Sequence, residues 1–258
     1  VGFFRLILAF SVVMAHGSDM LGKEWAFHPL HSFVRLWSCP AVFAFFILSG
    51  FTISMVITEK YQHMQNGMRQ FYLNRMLRIY PLHLAVLVLL AALYIIAQRP
   101  YFLLGDYEGS TFKLAYALLT NILLLGVEWL PLVDEKNVSI VAGPIWSLGL
   151  ELCFYLIAPF VVGRSTRSLI AMTLIFGVLR YVMVVLGECS WAWRYYFFPA
   201  DLVFFLMGCC AYRFYVFLRG RAYRQWMGGV AASILGVCVI SPPLETASKQ
   251  AARRFTYG

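Results

Sequence analysis

Charge is what this sequence has least of. Only 13% of its 258 residues are charged, against roughly 25% in a soluble domain. The scarcity excludes a solvated globular surface over most of the chain. Chemical motifs with a short signature are missing too: there is no Gly-rich phosphate loop, no zinc-protease histidine pair and no Gly-x-Ser-x-Gly elbow. The six cysteines, at 39, 153, 189, 209, 210 and 238, have no metal-ligand spacing, and the adjacent pair Cys209–Cys210 is a poor disulfide geometry. They read as small apolar fillers in a chain without a metal site. No cleavable signal peptide is visible. The chain opens at Val1, without Met and already inside an apolar segment, which leads to the expectation that it lacks a short cytoplasmic tail.

What is present is apolar. Hydrophobic residues make up 61% of the chain, and the mean hydropathy is +0.74. Long apolar stretches at that composition mean an integral membrane protein. The expected fold is all-α, a polytopic transmembrane helix bundle of about eight segments near 2–18, 36–58, 80–98, 112–130, 144–162, 168–187, 197–217 and 226–241. They form one domain over 1–241, followed by a polar basic tail over 242–258. The formal charge of +9 does not point to nucleic acid here, because the arginines gather at the ends of apolar segments beside anionic lipid.

Those arginines orient the bundle. Lys60, Arg69, Arg75 and Arg78 lie between the second and third spans, Arg164 and Arg167 between the fifth and sixth, and Arg219, Arg221 and Arg224 between the seventh and eighth. All three loops read as cytoplasmic. The segment Glu188–Tyr196, with Trp191, Trp193, Tyr195 and Tyr196, then forms an outer aromatic belt. Three spans separate the first two basic loops, so one segment between them must fail to cross. The expected one is 112–130, re-entrant or lying along the interface.

A few polar residues stand out against this background. In Gly143–Tyr155, Ser147, Glu151 and Tyr155 are spaced i, i+4, i+8 and form one stripe on a helix. A carboxylate in hydrocarbon is costly and needs a partner or a purpose. One reading of Glu151 is structural, as partner of an intramembrane arginine such as Arg180. The other pairs it with His16, whose imidazole it would orient as a general base for a hydroxyl. Arg5 and His16 themselves lie on nearly one face of the first span, about 16 Å apart along its axis. Taken singly, Arg5 reads equally as a snorkelling anchor and His16 as an interfacial histidine. Arg75 and Arg78, at i, i+3, make either a phosphate fork or a lipid head-group anchor, with Pro81 suited to the first turn of the span that follows. Ser49-Gly50 reads first as a small patch for close helix packing. His28 and His31 fall in an outer loop, where they would shape an acceptor site; His63 and His83 show no ligand spacing.

Four pieces in order resemble the acyltransferase-3 family of polytopic membrane acyltransferases. They are Arg5 and His16 separated by ten residues, Phe45–Phe51, Arg75–Pro81 (Arg-Met-Leu-Arg-Ile-Tyr-Pro), and Trp146–Tyr155 (Trp-Ser-Leu-Gly-Leu-Glu-Leu-Cys-Phe-Tyr). Phe198–Gly208 is a looser match. The resemblance covers residues 1–210. It implies an acyl-CoA donor, usually acetyl-CoA, as co-substrate rather than a permanently bound cofactor. It also implies a glycan or other small hydroxylated acceptor, and a place in the bilayer of a bacterial inner membrane. On that pattern Arg75 and Arg78 hold CoA phosphates and Arg5 positions the donor. His16 acts in acyl transfer with Glu151 as its partner, and Trp146, Ser147 and Tyr155 meet substrate. Where the family carries a second acid or glutamine after the glutamate, this chain has Leu152 and Cys153, and it has fewer spans than the family. The alternatives are a truncated, inactive member, or a proton-coupled transporter or flippase using Arg5, His16 and Glu151; the latter has no need of the Arg75/Arg78 pair.

Overall fold

The computed structural model describes residues 2–18, 29–97, 111–130, 145–185, 193 and 196–219. The expected span 226–241, the tail 242–258 and most of the aromatic segment 188–196 lie outside the described residues. All regular structure among the described residues is helical: α1 (Gly2–Ser18), α2 (Pro29–Glu59), α3 (Gly67–Ala97), α4 (Thr111–Leu123), α5 (Ile145–Val162), α6 (Thr166–Val185) and α7 (Phe198–Arg219), with short 3-10 turns at Tyr61–His63 and Val127–Trp129. Among the described residues, five helical segments are long and apolar enough to cross a bilayer: Pro40–His63, Gly67–Leu93, Ile145–Val162, Thr166–Val184 and Phe198–Arg219. The chain is thus an integral membrane protein, helical in all the regular structure of its described residues.

The chain divides into two compact units, Val1–Ser49 with Ala211–Gly258, and Gly50–Cys210. In the first unit α1 carries Arg5, whose Nη2 donates to Ser49 Oγ at 3.4 Å. The second unit is organised around α5. Leu150, Phe154 and Ala158, four residues apart, are fully buried on one face of that helix. Phe154 stacks on Phe205 of α7, with centroids 4.5 Å apart. On α2, a Cβ added at Gly50 would overlap the main-chain carbonyl of Phe205. Glycine is therefore what lets these two backbones touch, as the small Ser49-Gly50 patch led one to expect. Cys209 Sγ closes the contact by donating to the Gly50 carbonyl at 3.8 Å. By contrast α3 and α6 bury little of their apolar length, and they offer the lipid rows such as Leu82, Val88, Ile95, Leu174, Ile175 and Val178.

Three local expectations are corrected. The basic stretch before the third span is not a loop. α3 runs unbroken for 31 residues from Gly67 to Ala97, about 46 Å, well beyond the ~30 Å hydrocarbon core. Arg75 and Arg78 are thus helical. Pro81 lies in the helix interior rather than in its first turn, a position tolerated in membrane helices because neighbours re-satisfy the freed carbonyl. His31 likewise sits on α2, which begins at Pro29, where proline is favoured as an opening residue, and not in a loop.

The segment 112–130 needs no such correction. The helix there has 13 residues, about 20 Å, too short to span alone, in line with the expected failure to cross. It ends where Leu124 and Gly126 take positive φ values of 62° and 84°, and the chain turns into Val127–Trp129. Side chains of α3 cap this end. The Tyr80 hydroxyl donates to the Leu123 carbonyl, and His83 Nε2 bonds the Asn121 carbonyl at 2.8 Å, meeting acceptors that the helix terminus leaves open. His83 is therefore a buried structural histidine.

Candidate functional site

In the second unit, α3 and α5 bring together two of the residues singled out by the sequence. Arg75 is buried, 8% exposed. Its guanidinium lies 5.6 Å from the ring centroids of both Phe71, one turn earlier on α3, and Tyr155 of α5. The two rings meet edge to face, 6.4 Å apart at 77°, so the cation occupies an aromatic corner. Tyr61 extends it by packing on Phe71 at 5.6 Å, and Asn74 Nδ2 holds the Tyr61 hydroxyl at 2.8 Å. Tyr72 ties the helices by donating to the Leu156 carbonyl at 2.9 Å.

Arg75 makes no ion pair or hydrogen bond among the described residues, and its Nε is buried without a partner. Stacking on aromatic faces is worth about 0.5–2 kcal/mol, while taking a cation out of water costs several kcal/mol. The corner alone leaves a deficit. Stacking also occupies only the face of the guanidinium, so its in-plane N–H donors stay available to an anion.

On the other side of Tyr155 lies the acid. The Tyr155 hydroxyl donates to Glu151 Oε1 at 2.5 Å, a distance typical of an O–H bond to a carboxylate. The i, i+4 spacing read from the sequence is thus a real contact on α5. Ser147, one turn earlier in the stripe, is half-buried, and so is Glu151. Trp146 is buried and packs perpendicular to Tyr196 at 4.8 Å. Tyr196 is correspondingly turned into the protein. Arg78 is exposed, whereas Arg75, three residues before it, faces inward.

In the first unit Arg5 is half-buried and engages Ser49, which favours an inward role over snorkelling. His16 lies in the last turn of α1; its side chain falls outside the described residues, as does that of His31.

The proposed structural partner of Glu151 proves to belong elsewhere. Arg180 of α6 pairs with Asp201 of α7, Nη1 to Oδ1 at 2.5 Å, and lies 4.6 Å from the Phe204 ring centroid. Asp201 is fully buried, and its place in the first turn of α7 favours negative charge. Glu128 was also missed. It is 2% exposed, accepts from Cys153 Sγ at 3.3 Å, and has Oε2 buried without a partner. Burial pushes its carboxyl above the usual range, and the bond from Cys153 offsets part of this. The Tyr116 phenol is raised in turn, by burial first and by Glu128 second. Cys153 is thus a hydrogen-bond donor as well as a filler. The available signal for both acids was an acidic residue inside an apolar run.

Chemically, the cluster offers a desolvated arginine able to take an anion, a carboxylate held by a phenol, and a serine one turn from that carboxylate. Such a set has the chemistry to hold an anion beside a carboxylate.

Comparison with known proteins is consistent with this chemistry. An acyltransferase-domain family, Acyl_transf_3, matches residues 1–253. A Haemophilus influenzae protein described as uncharacterized is 31% identical over 140 residues, 51% of this chain and 54% of its own length. A Streptomyces mycarofaciens protein named Acyltransferase MdmB is 35% identical over 123 residues, 46% of this chain and 27% of its own. The matches therefore span about half or less of these relatives. No solved structure matches the chain.

Proposed function

The chain belongs to the Acyl_transf_3 family of acyltransferase domains, and from that premise we propose that it is a membrane-bound acyltransferase. It moves an acyl group, acetyl in the first instance, from acyl-CoA to a hydroxyl of a carbohydrate or cell-surface glycan. Its site of action is the inner membrane of a bacterium. The observation that carries this reading is Arg75: a buried guanidinium stacked on Phe71 and Tyr155, with no carboxylate paired to it among the described residues. A CoA phosphate would close the electrostatic deficit, and exposed Arg78 would meet a second phosphate oxygen.

In the proposed reaction the acceptor oxygen attacks the thioester carbonyl carbon. The C–O ester bond forms and the C–S bond breaks. The hydroxyl proton passes to His16 and then to the departing CoA sulfur, so atoms and charge balance. This reading gives the proton chemistry to His16 and Glu151. Arg5 lines the donor path beside Ser49, and Ser147 and Trp146 border the acceptor.

The test is acyl-ester analysis of surface glycans from cells expressing wild type or His16→Ala. The ester should be present in the first and lost in the second; equal content in both would refute the transferase reading. Replacing Arg75 and Arg78 together by alanine should raise the acetyl-CoA Kd by about 100-fold, at roughly tenfold per charged hydrogen bond lost. Unaltered binding would remove the phosphate role.

A further inference from the structure

We propose that Tyr155 is a positioning residue that couples the donor-binding arginine to the acid, with Phe71 as the second wall of the same clamp. The inference rests on the acyl-transfer reading for its catalytic consequence and on geometry alone for the coupling. Expected at first to meet substrate, Tyr155 has both its functional parts engaged by protein. Its ring carries Arg75 at 5.6 Å, and its hydroxyl donates to Glu151 Oε1. Only 4% of the residue is exposed. Its edge abuts Phe71 at 6.4 Å, and Phe71, fully buried, also lies under Arg75.

One rigid side chain therefore sets two orientations at once. A phenol ring with two torsions cannot move its hydroxyl without moving its face. The plane of the Arg75 guanidinium is fixed by two rings, and the Glu151 carboxylate is fixed by a short bond to one of them. Moving this ring moves both groups. Because helical side chains lie back over the preceding turn, Arg75 reaches Phe71 and Tyr155 reaches Glu151 without strain. The separation of the two charges then follows from the α3–α5 contact.

If Tyr155 served only as a core ring, phenylalanine would replace it without loss. The structure distinguishes the two parts, and so does substitution. Tyr155→Phe keeps the face and removes the hydroxyl. Phe71→Leu keeps the hydroxyl and removes one face. Tyr155→Leu removes both.

The experiment uses membrane vesicles from cells expressing the full chain, supplied with radiolabelled acetyl-CoA and assayed for acetyl ester in the vesicle glycan across pH. Difference infrared spectra of the purified protein, with the Glu151 carboxylate band assigned by Glu151→Gln, provide a readout independent of activity. Tyr155→Phe should leave the KM for acetyl-CoA within twofold, lower the maximal rate about tenfold, displace the acid limb of the pH profile and shift the carboxylate band. Phe71→Leu should raise the KM about tenfold and leave the profile and the band in place. Tyr155→Leu should do both; should it fail to fold, the other two variants still decide. A Tyr155→Phe protein with wild-type rate, profile and band would overturn the coupling. A shifted band in a chain whose wild type transfers nothing from acetyl-CoA would instead sink the acyl-transfer reading and leave the coupling standing.

Discussion

The Arg180–Asp201 pair invites a demanding test, because it joins a sparsely buried helix to the core. α6 buries little of its length, yet Arg180 reaches α7 to meet a carboxylate that is completely buried. Asp201→Ala would leave the guanidinium, whose side chain is 17% exposed, over Phe204 without its counter-charge. Removing one partner of a buried pair costs about 3–5 kcal/mol. Asp201→Asn keeps one acceptor but puts an amide N–H₂ where Oδ2 already lacks a partner, and an unmet buried donor costs about 1–3 kcal/mol. Replacing both residues, Asp201→Ala with Arg180→Met, removes both charges and their desolvation, and should cost less than Asp201→Ala alone. The coupling energy from the cycle should therefore exceed about 2 kcal/mol, a large share of a typical total stability of about 5–15 kcal/mol. Equilibrium unfolding in mixed micelles, followed by circular dichroism, measures each corner. Hydrogen exchange should locate the loss in Thr166–Val185 first. A coupling under about 0.5 kcal/mol, or a double variant as unstable as Asp201→Ala, would refute the reasoning.

Two further outcomes follow from the second unit. Gly50→Ala and, more strongly, Gly50→Val should destabilise by about 1–3 kcal/mol, because the new carbon meets the main-chain carbonyl of Phe205, which cannot swing aside as a side chain would; thermal unfolding in detergent checks it, and an unchanged midpoint would count against the close crossing. Glu128 should make stability depend on pH with a definite sign. Its folded-state value is raised above the ordinary 4.5, so the folded state holds the proton more tightly; the stabilisation is complete below that value and is lost as pH rises through the folded one. Glu128→Gln should flatten the wild-type decline above pH 4.5, and parallel curves for the two proteins would contradict it.

Much of the architecture was legible in the sequence because hydropathy and helical period are local properties. The segments 144–162, 168–187 and 197–217 coincide closely with α5, α6 and α7. The stripe on α5 followed from spacing alone, and Glu151 does meet Tyr155. The weaker inferences were those that took one residue's habit as a boundary. Pro81 was expected to open a helix, but the run Gly67–Tyr80 already favoured helix and carried it through. Assigning Arg180 to Glu151 failed for another reason: several acids were available, and spacing along the chain does not rank partners on different helices.

By itself, then, the sequence determined the class: its scarcity of charge and its long apolar runs require helices in a bilayer, since only there are all backbone groups satisfied. It also determined which polar residues interrupt those runs, and the motifs that carry the family. The tertiary structure decided what each of them touches. It gave Asp201 rather than Glu151 to Arg180, set Arg75 in the Phe71–Tyr155 corner, and drew Glu128 onto Cys153 across 25 residues. Pairings of this kind depend on which helix faces pack together, a choice made by shape at places such as Gly50 against Phe205, and no local period encodes it.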